Sequence, residues 1–151
     1  MSERGIGIAG LDHVQLAMPR GEEALARMFY AGLLGLREVR KPRALAGRGG
    51  AWFVAPGAAV HLGVEEPFRP ARKAHAAFVV DDLEVARQRL ATAGVETEPD
   101  PTAGLIRRCY VSDPFGNRLE LVDGRDAGFS ARRPDRHPAA RPRREPRSPA
   151  G

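Results

Sequence analysis

The chain has a single cysteine, Cys109, so no internal disulfide can close and a disulfide-stapled secreted scaffold is excluded. That thiol is expected to be a small, partly buried strand residue. No stretch approaches the roughly 18 apolar residues that a membrane-spanning helix needs. The opening MSERGIGIAGLDH lacks the basic-then-apolar order of a secretory leader. The expectation is a soluble cytoplasmic protein with no membrane partner. Aromatic residues are also scarce, at 6% of the chain, which leaves little material for stacking platforms.

A balance of charge is missing only at one end. Residues 1–124 hold 16 Lys and Arg against 16 Asp and Glu, whereas residues 125–151 hold 8 Arg against 3 acids. The net charge of +5 therefore belongs to the segment RDAGFSARRPDRHPAARPRREPRSPAG. It is rich in proline, has almost no large apolar side chain and follows no helical or strand period, so a disordered tail is expected. Only Phe129 stands among its arginines, and a nucleic-acid-binding arm is not expected.

What is present, between residues 10 and 124, is one order of elements used twice. LDHVQLAMP (11–19) alternates, with Val14, Leu16 and Met18 on one face and His13, Gln15 and Ala17 on the other. GEEALARMFYAGLLGL reads as an amphipathic helix with Leu25, Met28, Phe29, Gly32 and Leu33 inward, Tyr30 at its edge and Gly35 as its stop. Three strands are expected next, over 36–42, 50–57 and 58–66. The second round comprises a strand over 73–82, a helix capped by Asp81 or Asp82 and ended by Gly94, and strands over 95–100, 105–113 and 118–123. In the second helix Leu83, Ala86, Leu90 and Ala93 share a face, and Pro114 and Gly116 shape the DPFGN turn before the last strand. The domain is thus expected at 10–124, with modules at about 10–66 and 73–124.

Polar residues interrupt this pattern at matched places. Glu120 stands between two leucines in NRLELVD, where a carboxylate must reach water, meet a cation or bind a metal. His13 and His75 are expected at the middle of the first strand of each half, and His61 and Glu120 at the middle of the last. If an approximate twofold relates the halves, the four converge on one cavity. Neutral imidazoles with one carboxylate suit borderline divalent ions such as Zn, Ni, Co and Fe better than Ca.

FYAGLLGL (29–36) after a His-bearing strand, together with DPFGNRLEL (113–121), resembles the vicinal oxygen chelate superfamily, which contains glyoxalase I, methylmalonyl-CoA epimerase, extradiol dioxygenases, and fosfomycin and bleomycin resistance proteins. The resemblance implies an α+β fold of two paired βαβββ modules forming an incomplete barrel around a divalent metal (Zn, Ni, Co, Mn or Fe), in a homodimer acting on a small molecule. It places His13, His75 and Glu120 at ligand positions and His61 where glyoxalase I and the epimerase carry Glu or Gln. Proton transfer then falls to Glu120 or His61. Gln15, Trp52 or Phe53, and Arg107 or Arg108 are the candidate substrate contacts, with Gln15, Trp52 and Arg108 preferred. Glyoxalase- or epimerase-like isomerisation is the leading expectation, with an Fe(II) ring-cleaving dioxygenase and a small-molecule-binding resistance protein as alternatives.

Overall fold

The computed structural model describes residues 5–100 and 106–126. The expected tail from residue 127 onward, and Leu105 at the expected start of the seventh strand, lie outside the described residues. Two four-stranded mixed sheets carry the fold, as the α+β pattern anticipates. The first contains β1 (Val14–Met18), β2 (Arg37–Val39), β3 (Ala51–Ala55) and β4 (Ala58–Val64) in the order β1-β4-β3-β2. The second contains β5 (Ala76–Val80), β6 (Thr97–Pro99), β7 (Arg108–Ser112) and β8 (Arg118–Asp123) in the order β5-β8-β7-β6. In each, the first strand runs parallel to the last and the remaining pairs are antiparallel. Both sheets are open, and no closed barrel forms.

The alternation in sequence becomes alternation in burial. Leu16 and Met18 of β1, Phe53 of β3, and Val60 and Leu62 of β4 turn into the core. Val111, Leu119 and Leu121 do the same in the second sheet, together with Cys109, whose burial pushes its thiol pKa up. Pro56-Gly57 joins β3 to β4, with Gly57 at a φ of 76° that suits the second corner of a tight turn. At the other end of β3, a Cβ on Gly50 would lie 2.1 Å from the Leu62 carbonyl oxygen, so only glycine lets the strands approach there. A 3₁₀ helix over Arg43–Arg48, not anticipated from sequence, leads into that strand.

The first helix differs most from expectation. α1 (Glu23–Ala26) passes directly into a π-helical stretch, Arg27–Leu33, in which the Leu34 N–H reaches back five residues to the Phe29 carbonyl at 2.9 Å. A wider turn rotates the buried stripe relative to a 3.6-residue period. Ala26, Phe29 and Tyr30 face the core, while Leu25 and Met28 are 42% and 71% exposed. Tyr30 is therefore a fully buried residue and not a helix edge. The second helix, α2 (Leu83–Thr92), starts where Asp82 Oδ1 accepts from the Glu84 and Val85 N–H groups, at 2.9 and 3.1 Å. Leu83 and Leu90 are buried, but Ala93 is exposed because it caps the helix end.

DPFGN does more than turn the chain. Asp113 Oδ1 accepts from the Phe115 and Asn117 N–H groups at 2.9 and 2.8 Å, closing the turn. Its Oδ2 accepts from the Tyr30 hydroxyl and from Asn117 Nδ2, both at 2.8 Å. Asn117 Nδ2 also donates to the Ala17 carbonyl of β1 at 2.8 Å, and Asn117 Oδ1 accepts from the Ala71 N–H at 2.9 Å. One turn of the second module thus grips the helix and the first strand of the other. Every donor in it is matched, which makes its burial tolerable.

Candidate functional site

The four candidate ligands occupy equivalent positions in the two modules, though not all at strand centres. His13 and His75 are the residues just before β1 and β5, while His61 and Glu120 lie mid-strand in β4 and β8. Parallel pairing sets Gln15 beside His61 and Ala77 beside Glu120; antiparallel pairing sets Trp52 beside His61 and Tyr110 beside Glu120. Directly paired residues share a sheet face, so each module presents one ligand pair with an aromatic neighbour.

In the first module the Trp52 and His61 rings stack with centroids 3.8 Å apart and a 5° interplanar angle. His13 stacks on His61 at 4.1 Å. Two rings at such separations cannot occupy the same side, so His61 lies between Trp52 and His13 with only its edge open. Burial lowers the His61 pKa, and the adjacent His13 lowers it further against a small opposing pull from Asp12. His61 is consequently neutral at pH 7, the form that a metal ligand or a general base requires. His13 Nδ1 meets Asp12 Oδ2 at 2.6 Å, which leaves its Nε2 as the free lone pair. Gln15 lies against Gly63, where an added Cβ would come within 2.5 Å of its amide nitrogen. Among the described residues it makes no hydrogen bond to either imidazole.

In the second module His75 Nδ1 meets the Lys73 carbonyl at 2.8 Å and His75 Nε2 meets Glu120 Oε2 at 2.9 Å. Both partners are acceptors. His75 Nε2 and Glu120 Oε2 are thus placed to share one proton or one cation between them. Glu120, 7% exposed, also receives Arg108 Nη1 at 3.3 Å on its other oxygen. Its charge is therefore balanced even before a metal is considered. Arg108 points inward, but Asp100 and Glu120 both engage it, so its guanidinium is committed within the protein. Arg107 turns the other way, to Asp123 and Asp126. Phe53 is buried in the core, which leaves Trp52 as the aromatic residue at the site.

The structure brings His13 together with His61, and His75 together with Glu120. Among the described residues no three His, Cys, Asp or Glu side chains are grouped closely enough to hold a metal ion. The donor chemistry fits a borderline divalent ion nonetheless: three imidazoles, two of them with Nδ1 anchored, and one carboxylate. What sequence reasoning missed is Tyr110, which lies edge-on to His75 at 5.6 Å, and Arg118, whose guanidinium carbon lies 4.9 Å from the Tyr110 ring centroid. The strand alternation of Arg108, Tyr110 and Ser112, and of Arg118 and Glu120, carries the signal for both.

The model of the Glyoxalase/Bleomycin resistance protein/Dioxygenase superfamily matches residues 10–121. The chain belongs to this superfamily. Among solved structures it is similar to a protein assigned to the glyoxalase family from Bacillus anthracis, with 43% identity, 80% of this chain and 98% of that one covered, and a TM-score of 0.76. It shares its fold with the fosfomycin resistance protein FosX from Listeria monocytogenes, at 20% identity, 78% and 95% coverage, and a TM-score of 0.63. FosX from Mesorhizobium loti is 25% identical, over 78% of this chain and 94% of that one, with a TM-score of 0.57. No curated protein matches the chain. No helix among the described residues is long and apolar enough to cross a membrane.

Proposed function

We propose that this superfamily member is a divalent-metal-dependent enzyme acting on a small oxygenated substrate, with glyoxalase- or epimerase-like isomerisation as its reaction. The supporting observation is that each module presents one ligand pair, His13 with His61 and His75 with Glu120, at equivalent strand positions and with compatible donor atoms. The pairs would meet in a homodimer, one module from each chain. That arrangement is favoured by the terminal position of β1 and β5 in their sheets and by Val79 of β5, which is 62% exposed beside an apolar crevice of about 400 Å³.

A bound Zn, Ni, Co, Mn or Fe ion would supply Lewis acidity toward adjacent substrate oxygens. The chain's own residues supply the rest. His61, held neutral by burial and fixed by the rings on both sides, accepts a proton at its open edge in the state in which it does not ligate the metal, with His13, His75 and Glu120 then left to hold the ion. Glu120 is the second candidate to move a proton, and Arg108 holds its carboxylate in place meanwhile. Trp52 supplies an apolar wall beside the reacting centre.

The FosX neighbours favour a second reading, a fosfomycin-resistance role on the same residues. The test is metal analysis and solution mass of the purified chain, followed by turnover assays with α-ketoaldehydes, catechols and fosfomycin. Bound metal that is lost in His75→Ala, with the far-UV spectrum retained, is the expected result. A His75→Ala chain that keeps its metal, or a wild-type chain that takes up none from any of the five ions, refutes the metal-site reading. Turnover of fosfomycin but no ketoaldehyde selects the second reading.

A further inference from the structure

A cavity of about 520 Å³, within the range of small-molecule sites, lies one side chain removed from the His75–Glu120 pair, across Tyr110. Tyr110 and Ser112 of β7 and Arg118 of β8 line it, with Arg72 from the preceding loop, and the exposed Glu96 and Glu98 stand at its rim. Pairing of Ser112 with Arg118 and of Tyr110 with Glu120 puts all four side chains on one sheet face. Half-buried Arg118 rests on the Tyr110 ring, and that ring in turn abuts His75.

The arginines at and just before β7, and at the start of β8, differ in state. Arg107 is engaged by Asp123 and Asp126, and Arg108 by Asp100 and Glu120. Among the described residues Arg118 has no carboxylate within ion-pair distance. Its contact with the aromatic face orients the planar fork without using the N–H donors that bind oxyanions. We propose that Arg118, seated on Tyr110, receives the compact oxyanion head of a singly charged small-molecule ligand, a carboxylate or a phosphonate. On the β6 side Glu96 and Glu98 oppose a second anionic group, while Arg72 stands on the side of the loop before β5, so the end of the ligand that faces β6 is neutral or cationic. The proposal names the ligand class of the site described above and depends on that reading for its catalytic meaning, but anion binding itself needs no metal.

The test uses the full chain stripped of metal by a chelator and titrated calorimetrically, with methylphosphonate in one arm and acetate in the other, at low and at physiological salt. Saturable binding of one anion is expected, weakening with salt. Arg118→Gln should weaken it about tenfold or more, as loss of charge-assisted hydrogen bonds implies. Arg37→Gln, an equal charge change on the exposed β2 strand, should leave it within about twofold. The arm that binds identifies the head group. Binding of neither anion, or equal effects of Arg118→Gln and Arg37→Gln, overturns the proposal. If Arg118→Gln does not fold, Arg118→Lys keeps the charge but loses the fork; it should weaken binding several-fold, and unchanged affinity counts against the seat. Loss of metal binding with anion binding intact would remove the metal reading and leave this one standing. Intact metal content with an anion affinity indifferent to Arg118 would do the reverse.

Discussion

Replacing Tyr30 with Phe removes one oxygen from the core and keeps its ring. The hydroxyl donates to Asp113 Oδ2 at 2.8 Å, and both residues are buried. Desolvation, followed by the neighbouring carboxylate and its hydrogen bond, raises the phenol pKa far above its usual value, so Tyr30 remains a donor at any working pH. Without it, Asp113 still accepts from the Phe115 and Asn117 N–H groups and from Asn117 Nδ2. The cost is therefore that of one charge-assisted hydrogen bond, about 1.5–3 kcal/mol, and not that of an orphaned buried charge. The stack of residue 30 on Phe53, with centroids 5.4 Å apart, survives. At a typical urea slope the unfolding midpoint should fall by about 1 M with the slope unchanged. Urea unfolding followed by circular dichroism measures this, and a cycle with Asp113→Asn should return a coupling above about 0.5 kcal/mol. Additive single effects, or a midpoint within about 0.2 M of wild type, would mean that the two modules are not clamped through this bond.

Two further outcomes follow from groups whose ionisation the fold shifts. Trp52 is the chain's single tryptophan and stacks on His61, so its emission in metal-free protein should fall as pH is lowered and the imidazole charges. Burial, then the neighbouring His13, depresses the His61 pKa, which puts the midpoint below the ordinary value of about 6.5. A midpoint at or above that value, or a transition that persists in His61→Gln, contradicts the stacked geometry. Hydrogen bonds from Arg125 hold the Asp123 carboxyl well below the usual range, with lesser support from the Leu83 N–H and the Arg107 charge. Unfolding therefore takes up a proton as pH falls below about 4, the unfolded value. The stability contributed by this group is present above that pH and is lost as pH drops toward the folded pKa. Thermal melts from pH 6 to pH 2 should show a steeper acid decline in wild type than in Arg125→Gln; parallel curves would dismiss the pairing.

The features legible in sequence are those fixed by neighbours one or two residues away. Alternation in LDHVQLAMP points Leu16 and Met18 inward, and both are buried, because a strand's side-chain period is fixed by its backbone. The first helix misled for the complementary reason. Its π-helical turn changes the period, and nothing in MFYAGLL announces that Tyr30 will be drawn in by Asp113, 83 residues away. The expected stripe at Leu25 and Met28 is right for a 3.6-residue helix and wrong for this one.

The arginines show where such reasoning ends. Strand alternation correctly turns Arg108 toward the site, and by the same logic turns Arg118 there too. Which of them is available to a ligand depends on carboxylates brought from elsewhere in the chain: Asp100, beyond β6, and Glu120, across the β7–β8 pair, both reach Arg108. Arg118 meets an aromatic ring instead. The inward direction is local and readable, whereas the charge balance at the end of the side chain is tertiary. That balance decides recognition: an arginine already holding two carboxylates offers a substrate little, and one resting on a tyrosine keeps its donors for whatever anion enters the cavity.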